Sequence, residues 1–169
     1  MESTDFNFLD YFVRGEVLQN VSGSTVEEIF NAVCRKIKLP EGLTAVSLEH
    51  NLLMREKILT TAVGNGIAIP HPRCPIVNNY NDSRIIVVYP KIPLNMNAPD
   101  SKKVSVMFIL LSYSTKEHIN ILASLAKLFR DKRFMSALYE RPWKERLIEL
   151  IKEVIPEDEE DAEENRKIV

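Results

Sequence analysis

The stretch TTAVGNGIAIPHP, Thr60 to Pro72, decides how this chain is read. Two short apolar runs, Thr60 to Val63 and Ile67 to Ile69, flank Gly64-Asn65-Gly66, residues that accept the positive φ angles of a tight hairpin. Pro70 then ends the second strand and leaves His71 at its tip, between two prolines that restrict the backbone on both sides. An imidazole mounted this rigidly on a loop has its orientation set before any partner arrives, which suits a nucleophile.

Outward from this hairpin, helices and strands alternate. Upstream, the sequence predicts a short helix over Phe6 to Phe12, a strand over Glu16 to Val21, and a helix beginning at a capping box formed by Ser24 and Glu27. Val26, Ile29, Phe30, Val33 and Ile37 recur at helical spacing before Pro40 and Gly42 stop the pattern. A further helix over Ala45 to Lys57 turns Leu48, Leu52 and Leu53 inward and carries Arg55 and Glu56 near its C-terminal end. Downstream, residues 72 to 83 read as loop, and Arg84 to Tyr89 and Val104 to Tyr113 read as buried strands. Ser114 and Glu117 form a second capping box, followed by an apolar stripe of Ile119, Leu122, Leu125, Ala126 and Phe129. Helices over Asp131 to Glu140 and Pro142 to Val154, with Pro142 in a first turn, complete the pattern. This order predicts an α/β layered fold with a mixed sheet, the hairpin supplying its antiparallel part.

Composition narrows the function. The 169 residues fit one domain, and 45% hydrophobic content fills a core without disulfides or metals. Residues 1–155 are expected to form that domain. Residues 156–169 hold seven acids against Arg166 and Lys167 and are expected to be disordered. Without them the chain carries 20 bases against 17 acids, too weak a balance for a nucleic-acid surface. No secretion signal is expected, and no apolar run reaches the ~20 residues of a membrane span. Cys34, in a periodic helix, and Cys74, in a polar loop, read as reduced thiols of a cytoplasmic protein.

Several strings together resemble a known family: Arg55-Glu56, Thr60-Thr61, Gly64-Asn65-Gly66-Ile67-Ala68-Ile69-Pro70-His71, and Glu117-His118-Ile119-Asn120-Ile121-Leu122-Ala123-Ser124-Leu125-Ala126. They are similar to the enzyme IIA domains of the mannitol, fructose and nitrogen-regulatory branch of the bacterial phosphoenolpyruvate-dependent sugar phosphotransferase system, over roughly residues 8 to 155. The resemblance implies about five strands with helices on both faces. It implies that His71 accepts phosphate from the phosphohistidine of the carrier HPr and passes it to a cysteine of an enzyme IIB domain or uses it for regulation. Arg55, Thr60 and His118 match the family's supporting groups, and no cofactor or metal is required.

The chemistry agrees with the residue types. A neutral imidazole offers one ring nitrogen to phosphorus while a hydrogen bond on the other fixes the tautomer. Arg55, the Thr60 hydroxyl and a donating His118 are expected to stabilise the equatorial oxygens. Each residue also has a plainer reading: Arg55 as a helix-end charge, Thr60 as a turn residue, and His118 as the border of a core face whose helix N-terminus lowers its pKa. His50 is expected to be exposed and idle. A protein-binding module without phosphate chemistry is the alternative function. A metal-dependent hydrolase around His71, His118 and Cys74 lacks the acids such a site needs. The loop before Val104 departs from the family: Asp100-Ser101-Lys102 stands where many relatives carry a glycine after the Asp.

Overall fold

The computed structural model describes residues 6–156; the acidic tail, apart from Pro156, lies outside them. Among the described residues the order is α1 (Phe8–Arg14), β1 (Val17–Val21), α2 (Val26–Lys36), α3 (Ala45–Ile58), β2 (Ala62–Gly64), β3 (Ile67–Ala68), β4 (Arg84–Pro90), β5 (Val106–Leu111), α4 (Thr115–Arg130), α5 (Lys132–Tyr139) and α6 (Lys144–Val154). The strands form one five-stranded sheet in the order β1-β4-β5-β3-β2. β1 runs parallel to β4 and β3 parallel to β5, whereas β4–β5 and β2–β3 are antiparallel, so the sheet is mixed as expected.

Alternation along the central strands divides the core in two. Ile85, Val87 and Tyr89 of β4, with Val106, Phe108 and Leu110 of β5, pack on one face under α1, α4, α5 and α6. Ile86, Val88, Met107, Ile109 and Leu111 point to the other face, under α2 and α3. Burial on both faces explains why β4 and β5 read as continuous apolar runs.

Several boundaries moved for local reasons. The N-cap of α2 is Thr25, not Ser24: Thr25 Oγ1 accepts from the Glu28 backbone N at 3.2 Å, and Glu28 Oε2 accepts from the Ser24 N at 2.7 Å. The box slides one residue because Glu27 and Glu28 serve the two adjacent hydroxyls equally well by spacing. Pro142 precedes α6 instead of opening its first turn; Trp143 is the N-cap. Arg141 sits at φ +57°, and the Arg141 and Pro142 carbonyls accept from Gln19 Nε2, which holds this corner outside the helix. Val104 lies outside β5 because its N and O pair with Leu94 instead. On α4 the buried residues are Glu117, Ile121, Leu125 and Leu128, while Ile119 is 58% exposed and Ala126 is exposed. The stripe is thus rotated from its expected phase, with Leu122 and Phe129 at the margin of the core.

Candidate functional site

The hairpin forms as its sequence demands. Ala62 pairs with Ala68 and Gly64 with Ile67, and Asn65 and Gly66 occupy φ +53° and +77°. A Cβ at Gly66 would also meet Ser105 Oγ at 3.0 Å, so both space and backbone angle favour glycine there. Asp100 Oδ2 accepts from the Asn65 N at 2.7 Å and the Tyr139 hydroxyl donates to the Asn65 carbonyl, fastening the tip from two directions. Ser101 adopts φ +60°, so the turn that departs from the family uses a glycine-like backbone angle with a serine in it.

Beyond β3 the chain is clamped again. The Pro70 carbonyl accepts from the Leu110 N at 2.9 Å, tying the residue before His71 to β5. His71 Nδ1 lies 2.8 Å from the Ile69 carbonyl oxygen. A carbonyl only accepts, so this contact requires the proton on Nδ1 and leaves Nε2 with its lone pair bare. Burial pushes the His71 pKa below its ordinary value; the Ile69 carbonyl opposes that shift, Arg55 adds to it and Glu56 opposes it. The ring is therefore largely neutral at pH 7.

His118 stands beside it. The two ring centroids are 4.7 Å apart, with planes inclined at 49°. The His118 pKa is pushed down to about 4, first by burial and then by His71 and Arg55. Its expected neutrality stands, but burial is the leading cause, where the helix N-terminus was expected to act. The first turn of α4 is fixed by Ser114 Oγ, which accepts from the Glu117 N at 3.2 Å. Glu117 is 5% exposed, and its Oε1 accepts from the Tyr113 N at 3.4 Å, one residue before the cap.

Arg55 comes from the last turn of α3, where Nη1 donates to the Leu59 carbonyl at 2.6 Å. Its charge acts on both histidines. Thr60 is held by two hydrogen bonds just beyond the end of α3. Its hydroxyl proton goes to the Met96 carbonyl at 2.5 Å, and the same oxygen accepts from the Ala62 N at 3.1 Å. These bonds anchor the corner between α3 and β2. A groove of about 510 Å³ beside Thr60 is lined by Glu56, Met96 and the start of α2, and by neither histidine.

His50 and Cys74 are exposed, and Cys34 is buried in α2. Among the described residues no group of three or more His, Cys, Asp and Glu side chains is arranged to hold a metal ion. One residue the sequence reading gave no role is Glu56, whose carboxylate takes both the N and Oγ1 of Thr61.

The mixed-sheet α/β domain thus brings together a histidine with a bare ring nitrogen, a second, neutral histidine and the charge of an arginine. Residues 11–154 match the family described as phosphoenolpyruvate-dependent sugar phosphotransferase system, EIIA 2. The chain belongs to that family. It is 32% identical over 146 residues to a nitrogen regulatory protein of Pseudomonas aeruginosa, covering 83% of this chain and 91% of the relative. The crystal structure of nitrogen regulatory protein IIA-Ntr from Neisseria meningitidis superposes with a TM-score of 0.70 at 25% identity, covering 85% of this chain and 94% of that one. The mannitol enzyme IIA in its complex with phosphorylated enzyme IIB from Escherichia coli shares the fold, with a TM-score of 0.62 at 14% identity over 80% of this chain and 93% of that one. No helix among the described residues is long and apolar enough to cross a membrane.

Proposed function

We propose that His71 Nε2 accepts a phosphoryl group from the phosphohistidine of HPr and hands it to the cysteine of an enzyme IIB domain, or holds it as a regulatory signal. The observation that carries this reading is the 2.8 Å contact from His71 Nδ1 to the Ile69 carbonyl, which leaves Nε2 free to attack. The Nε2 lone pair forms the new P–N bond as the donor's P–N bond breaks, and the donor imidazole leaves with that electron pair. Onward transfer breaks the His71 P–N bond as a thiolate attacks phosphorus.

Arg55 meets the charge on the equatorial oxygens with the donors that Leu59 does not use. His118, neutral at pH 7, donates one N–H to the same group. Thr60 acts by holding the corner between α3, which carries Arg55, and β2. Exposed Met54, Ile58, Leu59 and Ile119 flank Arg55 and His118 in sequence and suit a partner's apolar surface. The complex of the mannitol relative with an enzyme IIB supports that type of acceptor, and the nitrogen regulatory relatives support regulatory use of the phosphorylated form. We assign the activity to residues 1–155 and to the cytoplasm, where Cys34 and Cys74 stay reduced.

The test is incubation with labelled phosphoenolpyruvate, enzyme I and HPr. Label should appear on this chain and vanish in His71→Ala. A competent donor set that leaves the wild-type chain unlabelled would overturn the carrier and favour the protein-binding module.

A further inference from the structure

We propose that Glu56 is a positioning residue for His71, acting through Thr61 and Ile69 to aim the imidazole; the proposal rests on reading His71 as the phosphoryl acceptor. Four residues form an unbroken series of hydrogen bonds. Glu56 Oε2 accepts from Thr61 Oγ1 at 2.6 Å, and Oε1 accepts from the Thr61 N at 3.1 Å. The Thr61 carbonyl accepts from the Ile69 N at 2.9 Å. The Ile69 carbonyl in turn meets His71 Nδ1 at 2.8 Å.

The series is mechanical. The N–H and C=O of a single residue belong to different peptide units, so neither a proton nor peptide polarisation passes along it. What passes is position: Thr61 is 5% exposed, its two donors end on one carboxylate, and the strand it opens sets where Ile69 lies. Pro70 and Pro72 lack N–H groups, so the His71 segment has few other backbone anchors besides the Pro70 carbonyl.

Charge is the second part of the role. The charged and titratable groups facing the His71 ring are Arg55 and Glu56 from α3 and His118 from α4. Arg55 lowers the basicity of the ring and Glu56 raises it. Two successive residues of one helix turn therefore act on the ring with opposite sign: one binds the incoming anion, the other offsets part of the loss of nucleophilicity that the first imposes.

Glu56→Gln, Glu56→Asp and Glu56→Ala separate aim from charge. In Glu56→Gln an amide oxygen still accepts from Thr61, so the Nδ1–H tautomer of His71, read by nitrogen NMR, should persist while its titration midpoint falls. In Glu56→Ala the tautomers should mix, and kcat for transfer from phospho-HPr should drop about tenfold with KM for the donor little changed. Glu56→Asp should restore the midpoint more fully than the rate. Thr25→Ala, which removes a helix cap away from the histidines, controls for plain loss of stability.

The proposal is overturned if Glu56→Ala keeps the wild-type tautomer and midpoint, or if Thr25→Ala reproduces its loss of rate. The NMR readouts need no phosphoryl transfer. A wild-type chain that fails to accept phosphate would therefore sink the proposed function while these spectra still decide what Glu56 does.

Discussion

The last turn of α3 and the first turn of α4 serve the same histidine, yet they are held by opposite means. α3 ends with its negative dipole end beside the basic residues Arg55 and Lys57, and its final turn is closed by long side chains: Arg55 onto the Leu59 carbonyl and Glu56 onto Thr61. α4 begins with its positive end, closed by the short hydroxyl of Ser114 and by buried Glu117. The difference sorts charge. A cation is comfortable where carbonyls gather, and burial keeps the His118 imidazole neutral, so His71 has a fixed positive charge on one side and an uncharged ring on the other. On the proposed function, both complement a phosphoryl group.

Breaking the α3 side should cost the most. Arg55→Ala is expected to lower the rate of transfer from phospho-HPr about 10²–10³-fold, the usual loss when a charge-stabilising donor is removed. Arg55→Lys should recover little, because a single ammonium cannot bond Leu59 and a phosphate oxygen with the geometry of a planar fork. A rate for Arg55→Ala within threefold of wild type would remove the end of α3 from the chemistry.

Breaking the α4 side should cost less and carry a signature in pH. His118→Gln replaces the ring N–H with an amide donor of different reach, worth up to about tenfold in rate. Both histidines have folded pKa values below the ordinary 6.5, so the folded state binds fewer protons than the unfolded chain as pH falls. Stability that is complete above about pH 6.5 is then lost on acidification, and for His118 the loss runs down to about pH 4. Compared with wild type, His118→Gln should therefore retain more of its neutral-pH urea midpoint at pH 5. An equal loss in both proteins would show that His118 is free to protonate in the fold.

The two sides also differed in how far they could be read from sequence. The mounting of His71 was legible because glycine, asparagine and proline each fix backbone angles locally, whatever the rest of the fold does. The cap at Ser114 was legible for the same reason. The Glu56–Thr61 link was not, since it joins the last turn of a helix to a residue beyond it, where no helical period applies. At Thr60 the motif position identified the residue but not the carbonyl, Met96, that takes its proton. The α4 stripe was misphased by Ile119: an apolar residue beside the site counts toward periodicity as if it were core, although it faces solvent.

The smallest effect sharpens the comparison most, because two caps of similar strength sit at different distances from the chemistry. Ser114 Oγ accepts from the Glu117 N at 3.2 Å at the start of α4, and Thr44 Oγ1 accepts from the Ser47 N at 3.1 Å at the start of α3. Replacing either by alanine should cost about 1 kcal/mol. For a chain of this size that lowers Tm by about 2–4 °C. Thr44 lies eleven residues before Arg55, about 16 Å along the helix, so Thr44→Ala should leave the transfer rate untouched. Ser114→Ala loosens the turn that carries His118 and should slow transfer a few-fold at the same loss of stability. Equal rates in the two variants would mean that α4 presents His118 through the packing of Glu117 and Ile121 alone, with no help from its cap.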